Sequence, residues 1–159
     1  MASALGLDFS KNLSLYTIPA AFVLAQGPHL AAVISAGKAY DNTDPRGFSS
    51  NIASSQAMTK AKKHRLTALH NASTNAYETL GFFAAAVVAA NQARLEPTLL
   101  NSLSFGYLAT RIAFIFAYTE LTPDATLSWF RSVSWFAGTA LSSALYIKAG
   151  INISKTYVF

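Results

Sequence analysis

The stretch TNAYETLGFFAAAVVAAN, Thr74 to Asn91, decides how the rest of the chain is read. From Leu80 onward it is almost purely apolar, and that alone suits a helix surrounded by lipid. Yet Glu78 stands at its head, with Asn75 one helical turn before it. An ionisable group inside a membrane span costs about 2.5 kcal/mol or more, so such a group is normally turned toward a bundle interior, a cavity or a partner. A carboxylate at this position therefore needs an assigned neighbour.

Working outward, three more windows have the length and apolar character of a span. The four run from Leu13 to Gly37, Leu66 to Asn91, Thr98 to Thr119 and Leu127 to Ala149. The chain has 159 residues, 52% of them hydrophobic and only 12% charged, which is about half the usual charged fraction of a soluble protein. A soluble helical bundle is the alternative, but soluble amphipathic helices carry a polar face that these windows mostly lack. The expectation is an all-α integral membrane protein, one domain over residues 1–159, built as a four-transmembrane-helix bundle.

The N-terminus MASALGLDFSKN is not basic and the first apolar run exceeds a signal-peptide core, so that run is expected to remain as a helix. There is no cysteine, which removes disulfides, protein thiolates and cysteine metal sites, and no metal site is expected.

The one long polar segment spans Lys38 to Arg65 and carries Lys38, Arg46, Lys60, Lys62, Lys63 and Arg65 against Asp41 and Asp44. By the bias of basic loops this segment is cytoplasmic, with both termini across the membrane. The cluster KAKKHR lacks interleaved aromatics and adjoins a span, so it points to anionic lipid headgroups rather than nucleic acid. Pro97 suits a first helical turn, and Pro123 with Asp124 punctuates the third connection.

Within the spans the polar residues fall into stripes. Asn71, Asn75, Glu78 and Phe82 share one face of the second, with His64 extending it toward the basic loop. On the third, Ser104, Tyr107, Arg111, Phe114 and Tyr118 keep the same spacing. At ~1.5 Å per residue Glu78 lies about 18 Å from the cytoplasmic end and Arg111 about 12 Å. The two are expected to pair. With Asn71, Asn75, Tyr107, Tyr118 and Arg131 they make more hydrogen-bonding groups than a single ion pair needs, which points to a pocket for a polar anionic ligand. Arg111 and Arg131 would hold its carboxylates and Glu78 an ammonium. In the first span Pro28 is expected to kink the helix, and His29 either bonds a freed carbonyl or does chemistry. Ser134, Gly138 and Ser142 form a small-residue stripe suited to close helix packing.

Together NAYETLGFFAAAVVAAN, LATRIAFIFAY and RSVSWFAG, within four spans of so short a chain, resemble the MAPEG superfamily, membrane-associated proteins in eicosanoid and glutathione metabolism. IPAAFVLAQGPHLAAVISAGKAYDNTDPR resembles its fungal branch. The resemblance implies a homotrimer with sites at the subunit interfaces, residence in the endoplasmic reticulum, glutathione near the cytosolic side and a lipophilic co-substrate arriving from the bilayer. Asn75 and Glu78 match the family's glutathione contacts, Arg111 its third-span Arg, Tyr118 the Tyr seven residues later, and Arg131 the Arg opening the fourth span. Three positions depart: Asn71, Thr79 and Phe114 stand where glutathione users often carry Arg, Tyr and Tyr.

Three functions follow. One is a glutathione transferase-like enzyme in which Arg111 or Arg131 stabilises a thiolate that attacks a lipophilic electrophile. The second is a cofactor-free isomerase or cyclase of a hydrophobic biosynthetic intermediate, with Glu78 donating a proton and His29 or Tyr118 sharing the work. The third is a non-catalytic lipid-binding or scaffold member. The candidate catalytic residues are thus Arg111, Arg131, Glu78, Tyr118 and His29; the candidate glutathione-binding residues are Asn71, Asn75, Glu78, Arg111 and Tyr118.

Overall fold

In a computed structural model the described residues are 8, 10–121 and 128–156, and among them every regular element is helical. Four long helices, α1 (Thr17–Ala36), α3 (Lys60–Gln92), α4 (Pro97–Phe116) and α5 (Trp129–Thr156), are joined by short 3₁₀ turns and one short helix, α2 (Phe48–Ser54). α1 packs along α3, α4 along α5, and α3 also packs against α5. The segments Ser14–Ala39 and Pro97–Leu121 are each long and apolar enough to cross a membrane.

The helix boundaries have local causes. α1 stops at Gly37, whose φ of 56° lies in the left-handed region that glycine adopts without penalty. α3 begins six residues before its apolar run because the Thr59 side chain accepts the Lys62 N–H, so the basic residues extend the helix rather than the loop. Glu96 caps α4 by accepting the Thr98 and Leu99 N–H groups, with Pro97 in the first turn as its sequence position predicts. α4 ends in a wide π-type turn, Ala117–Leu121. The expected punctuation at Pro123 and Asp124, and the expected start of the fourth span at Leu127, lie outside the described residues. The polar segment 38–65 is less of a loop than the sequence suggests: Phe48 and Ile52 of α2 are buried against Ala32, Ala36 and Leu66.

The packing is inverted relative to a water-soluble core. Small residues fill much of the interior, with Ala21, Ala25, Ala32, Ala72, Ala86 and Ala90 buried, which lets the helix backbones approach closely. The larger buried side chains include Phe83 and Tyr107, whose rings stack 3.7 Å apart. Outside, Val23, Ile34 and Phe136 are 66%, 71% and 67% exposed. Apolar surface of that extent marks a boundary with lipid or with another protein. At the end where the α3–α4 turn meets the N-terminal segment, Asn101 receives the Leu13 N–H and donates to the Lys11 carbonyl, while Asn91 donates to Ser14 Oγ. These asparagines tie the entering chain to the bundle.

Candidate functional site

The stripe read on α4 is the buried face of that helix. Ser104, Tyr107, Arg111 and Phe114 are all buried and Tyr118 is half-buried. Arg111 is only 2% exposed. Its Nη2 donates to the Ser134 and Trp135 carbonyls of α5 at 3.2 and 3.4 Å, and its Nη1 donates to Thr79 Oγ1 at 3.4 Å. The guanidinium carbon lies 5.3 Å from the Tyr107 ring centre and 5.1 Å from that of Phe114, a cation–π geometry.

Gly138 makes this arrangement possible. A Cβ there would come within 2.7 Å of both Arg111 Nη2 and Thr110 Oγ1, closer than non-bonded atoms tolerate. The small-residue stripe is thus used for close packing, as its spacing predicts, and the residue packed into it is a cation. Ser142 is buried on the same stripe and bonds the Gly138 carbonyl.

Thr79, one of the three positions that depart from the glutathione users, explains part of the local network. Its hydroxyl lies 3.2 Å from the Ala76 carbonyl, 3.0 Å from the Tyr107 hydroxyl and 3.4 Å from Arg111 Nη1. Donating to Ala76 leaves its two lone pairs for Tyr107 and Arg111.

The expected pairing of Glu78 with Arg111 is not made within the chain. Glu78 is exposed and bonds Asn75, whose Nδ2 donates to Oε2 at 3.2 Å. The reason is rotational: the face of α3 that carries Glu78 and Phe82 turns outward, whereas the α4 face turns toward α5, where backbone carbonyls receive the guanidinium. Arg65, by contrast, does find a carboxylate, Glu120 at 3.2 Å.

Beside Arg111 a cleft of about 310 Å³ opens, lined by Asn75, Phe114, Tyr118, Arg131, Ser132, Trp135 and Phe136. Three sequence-predicted site residues, Asn75, Tyr118 and Arg131, therefore share one wall. The Arg131 guanidinium carbon lies 4.9 Å from the Tyr118 ring centre. Glu78 adjoins the cleft through Asn75, and Arg111 stands behind it, bonded to the Trp135 carbonyl and stacked on Phe114. Phe114 contributes a ring where a tyrosine would add a hydroxyl. Asn71 is half-buried one turn before Asn75.

Among the described residues, two buried polar atoms beside this cleft have no hydrogen-bond partner, Asn75 Oδ1 and Arg111 Nε. Such atoms are rare and costly, on the order of 1–3 kcal/mol each when left unmade.

His29 belongs elsewhere. Its Nδ1 is 3.4 Å from Nδ1 of His70, and Phe48 of α2 stacks on His70 at 4.8 Å. None of these residues lines the cleft. His70 carries no signal of its own in the sequence; it stands next to Asn71 but on a different face of α3, and the antiparallel pairing of α1 with α3 brings it to His29.

Across residues 15–151 the sequence matches the model of the MAPEG family. The chain belongs to the MAPEG family. No curated protein and no solved structure matches it. MAPEG membership, with the two apolar helices, makes this a membrane protein. A membrane setting also accounts for the exposed Val23, Ile34 and Phe136.

Proposed function

We infer that the protein is a MAPEG enzyme of the glutathione transferase type, working at the cleft between α3, α4 and α5. The observation that carries this reading is the convergence of Asn75, Tyr118 and Arg131 on one cleft beside an unpartnered acceptor, Asn75 Oδ1. The residues suit a zwitterionic peptide with excess negative charge: Arg131 for a carboxylate, Asn75 for a peptide N–H, Glu78 at the rim for an ammonium. Glutathione supplies a nucleophilic thiol when bound. The chain's part is to hold the tripeptide and to keep cationic groups near the sulfur, since a nearby guanidinium favours the thiolate.

Trp135 and Phe136 give the cleft an apolar side for a lipophilic electrophile entering from the bilayer. In this reading all four long helices cross the membrane, segment 38–65 is cytoplasmic in the endoplasmic reticulum, and three chains assemble so that the outward face of α3 is covered. The separation of His29 from the cleft leaves a cofactor-free isomerase only Glu78 and Tyr118 as acid and base.

Titration calorimetry with glutathione in mild detergent tests the proposal. Binding at millimolar concentration or below is expected, lost in Arg131→Leu. No heat with the wild-type protein at millimolar glutathione overturns it, and binding without turnover of any lipophilic electrophile points to a non-catalytic member.

A further inference from the structure

A second candidate site lies away from the cleft, in the groove where α1 leaves the bundle and α3 begins. It has a volume of about 580 Å³ and is lined by Ala31, Ser35, Lys62, Arg65, Leu66 and Leu69. α1 and α3 run antiparallel here, so Ser35 lies level with the cations and Ala31 level with Leu69. From Lys62 to Leu69 the helix rises about 10 Å. Over that length the wall changes from two cations and a hydroxyl to aliphatic side chains, and Ile34 beside it is 71% exposed.

Both cations are available. Lys62 and Arg65 are exposed, and among the described residues no carboxylate pairs with Lys62. Glu120 engages only one terminal nitrogen of Arg65, and a guanidinium has five N–H donors, so the pair fixes the side chain while leaving donors to spare. Lys63 differs, since its ammonium donates to the Ala53 carbonyl at the end of α2. A neighbouring cavity, lined in part by Lys60 and His64, shares Arg65 and extends the basic rim.

We propose that this groove binds an anionic phospholipid, its phosphodiester between Lys62 and Arg65 and its acyl chain along Leu69 and Ala31. The charge selects an anion and the apolar floor selects one that carries hydrocarbon. The site rests on the membrane character of the family and not on glutathione use, so failure of glutathione to bind leaves it standing.

The test is native mass spectrometry of the detergent-purified protein with phosphatidylglycerol or phosphatidylcholine of matched chains. Preferential retention of phosphatidylglycerol is expected, weakened about fivefold in Lys62→Gln and about 25-fold in Lys62→Gln/Arg65→Gln. Glu120→Gln frees Arg65 from its pair without removing a cation and should retain the lipid. Equal retention of the two lipids, or wild-type retention by the double variant, overturns the proposal. So does glycerol phosphate competing as well as the intact lipid, because the floor would then contribute nothing. Should the double variant fail to fold, Lys62→Gln at its exposed position carries the same comparison.

Discussion

Along α4, Ser104, Tyr107, Arg111 and Phe114 are buried, and the one charge among them is held by carbonyls of α5. Along α3, a stripe of the same spacing leaves Glu78 and Phe82 exposed and Asn75 half-buried with an unpartnered oxygen. Periodicity says which residues share a face; what a face meets depends on the neighbouring helices. α5 offers α4 a gap at Gly138 that fits a guanidinium, whereas among the described residues the α3 stripe is covered only in part, Phe82 lying 5.0 Å from the Tyr146 ring and Asn75 lining the cleft. The first stripe is closed within the chain, and the second is left open at Glu78.

The largest expected effect separates the two glycines that sit on these contrasting faces. Gly138→Leu forces side-chain atoms into Arg111 and Thr110 and should destabilise the protein by ~3 kcal/mol. Gly81 on α3 has open space around it, so Gly81→Ala should be neutral or gain up to ~1 kcal/mol from helix propensity. Thermal melts of both in one detergent check this. A loss at Gly81 of the same size as that at Gly138 would show that a neighbouring chain packs there.

Next comes the pair of charges. Arg111→Ala removes a buried side chain that touches two rings and three oxygens, and should cost ~2–3 kcal/mol. Glu78→Leu should stay within ~0.5 kcal/mol in the isolated chain, while weakening glutathione binding if that ligand's ammonium rests on it. Equal losses in the two melts would mean that Glu78 is paired after all.

Thr79→Val tests the hydroxyl that joins the two helices. It keeps the shape and removes the acceptor shared by Tyr107 and Arg111, for an expected loss of ~1 kcal/mol. No change would indicate that those contacts contribute nothing net.

The smallest effect lies at the α3–α4 turn. The Glu96 carboxyl is held below its ordinary value of 4.5, first by the Thr98 side chain and then by the Thr98 and Leu99 N–H groups. A lowered carboxyl pKa stabilises the folded state above the unfolded value, and that contribution disappears as pH falls through the lowered one. The melting difference between wild type and Glu96→Ala should therefore be fully developed above about pH 5 and shrink in stronger acid. A difference that persists unchanged at acid pH would deny the cap its charge.

Much of the fold is legible in the sequence because its signals are local. Pro97 after Glu96 fixes the start of α4, Gly37 ends α1, and apolar length sets the long helices. The exceptions are the start of α3, where a capping threonine outweighs the polar composition of the segment it opens, and the end of α5, which runs to Thr156 rather than stopping at Ala149 with the apolar run. The membership of the cleft is legible in part: Asn75, Tyr118 and Arg131 meet as the stripes suggest. The partners of Arg111 are not, because two of the three are backbone carbonyls and carbonyls have no sequence signature. The His29–His70 approach is invisible for a different reason, since it depends on the relative height of α1 and α3.

The hold of α5 on Arg111 also bears on how the protein is made. Arg111 lies five residues before the end of α4, and a charge in a helix that enters a bilayer alone costs up to about 2.5–3.5 kcal/mol, the figure for the helix centre. α4 leaves the ribosome before the Ser134 and Trp135 carbonyls exist to receive that charge. Its stable integration is therefore expected to wait for α5, with the two helices entering lipid as a hairpin. Glycosylation-tag insertion assays on chains truncated after residue 121 or extended through residue 156 report this directly: the shorter chain should integrate less completely, and Arg111→Leu should remove the difference.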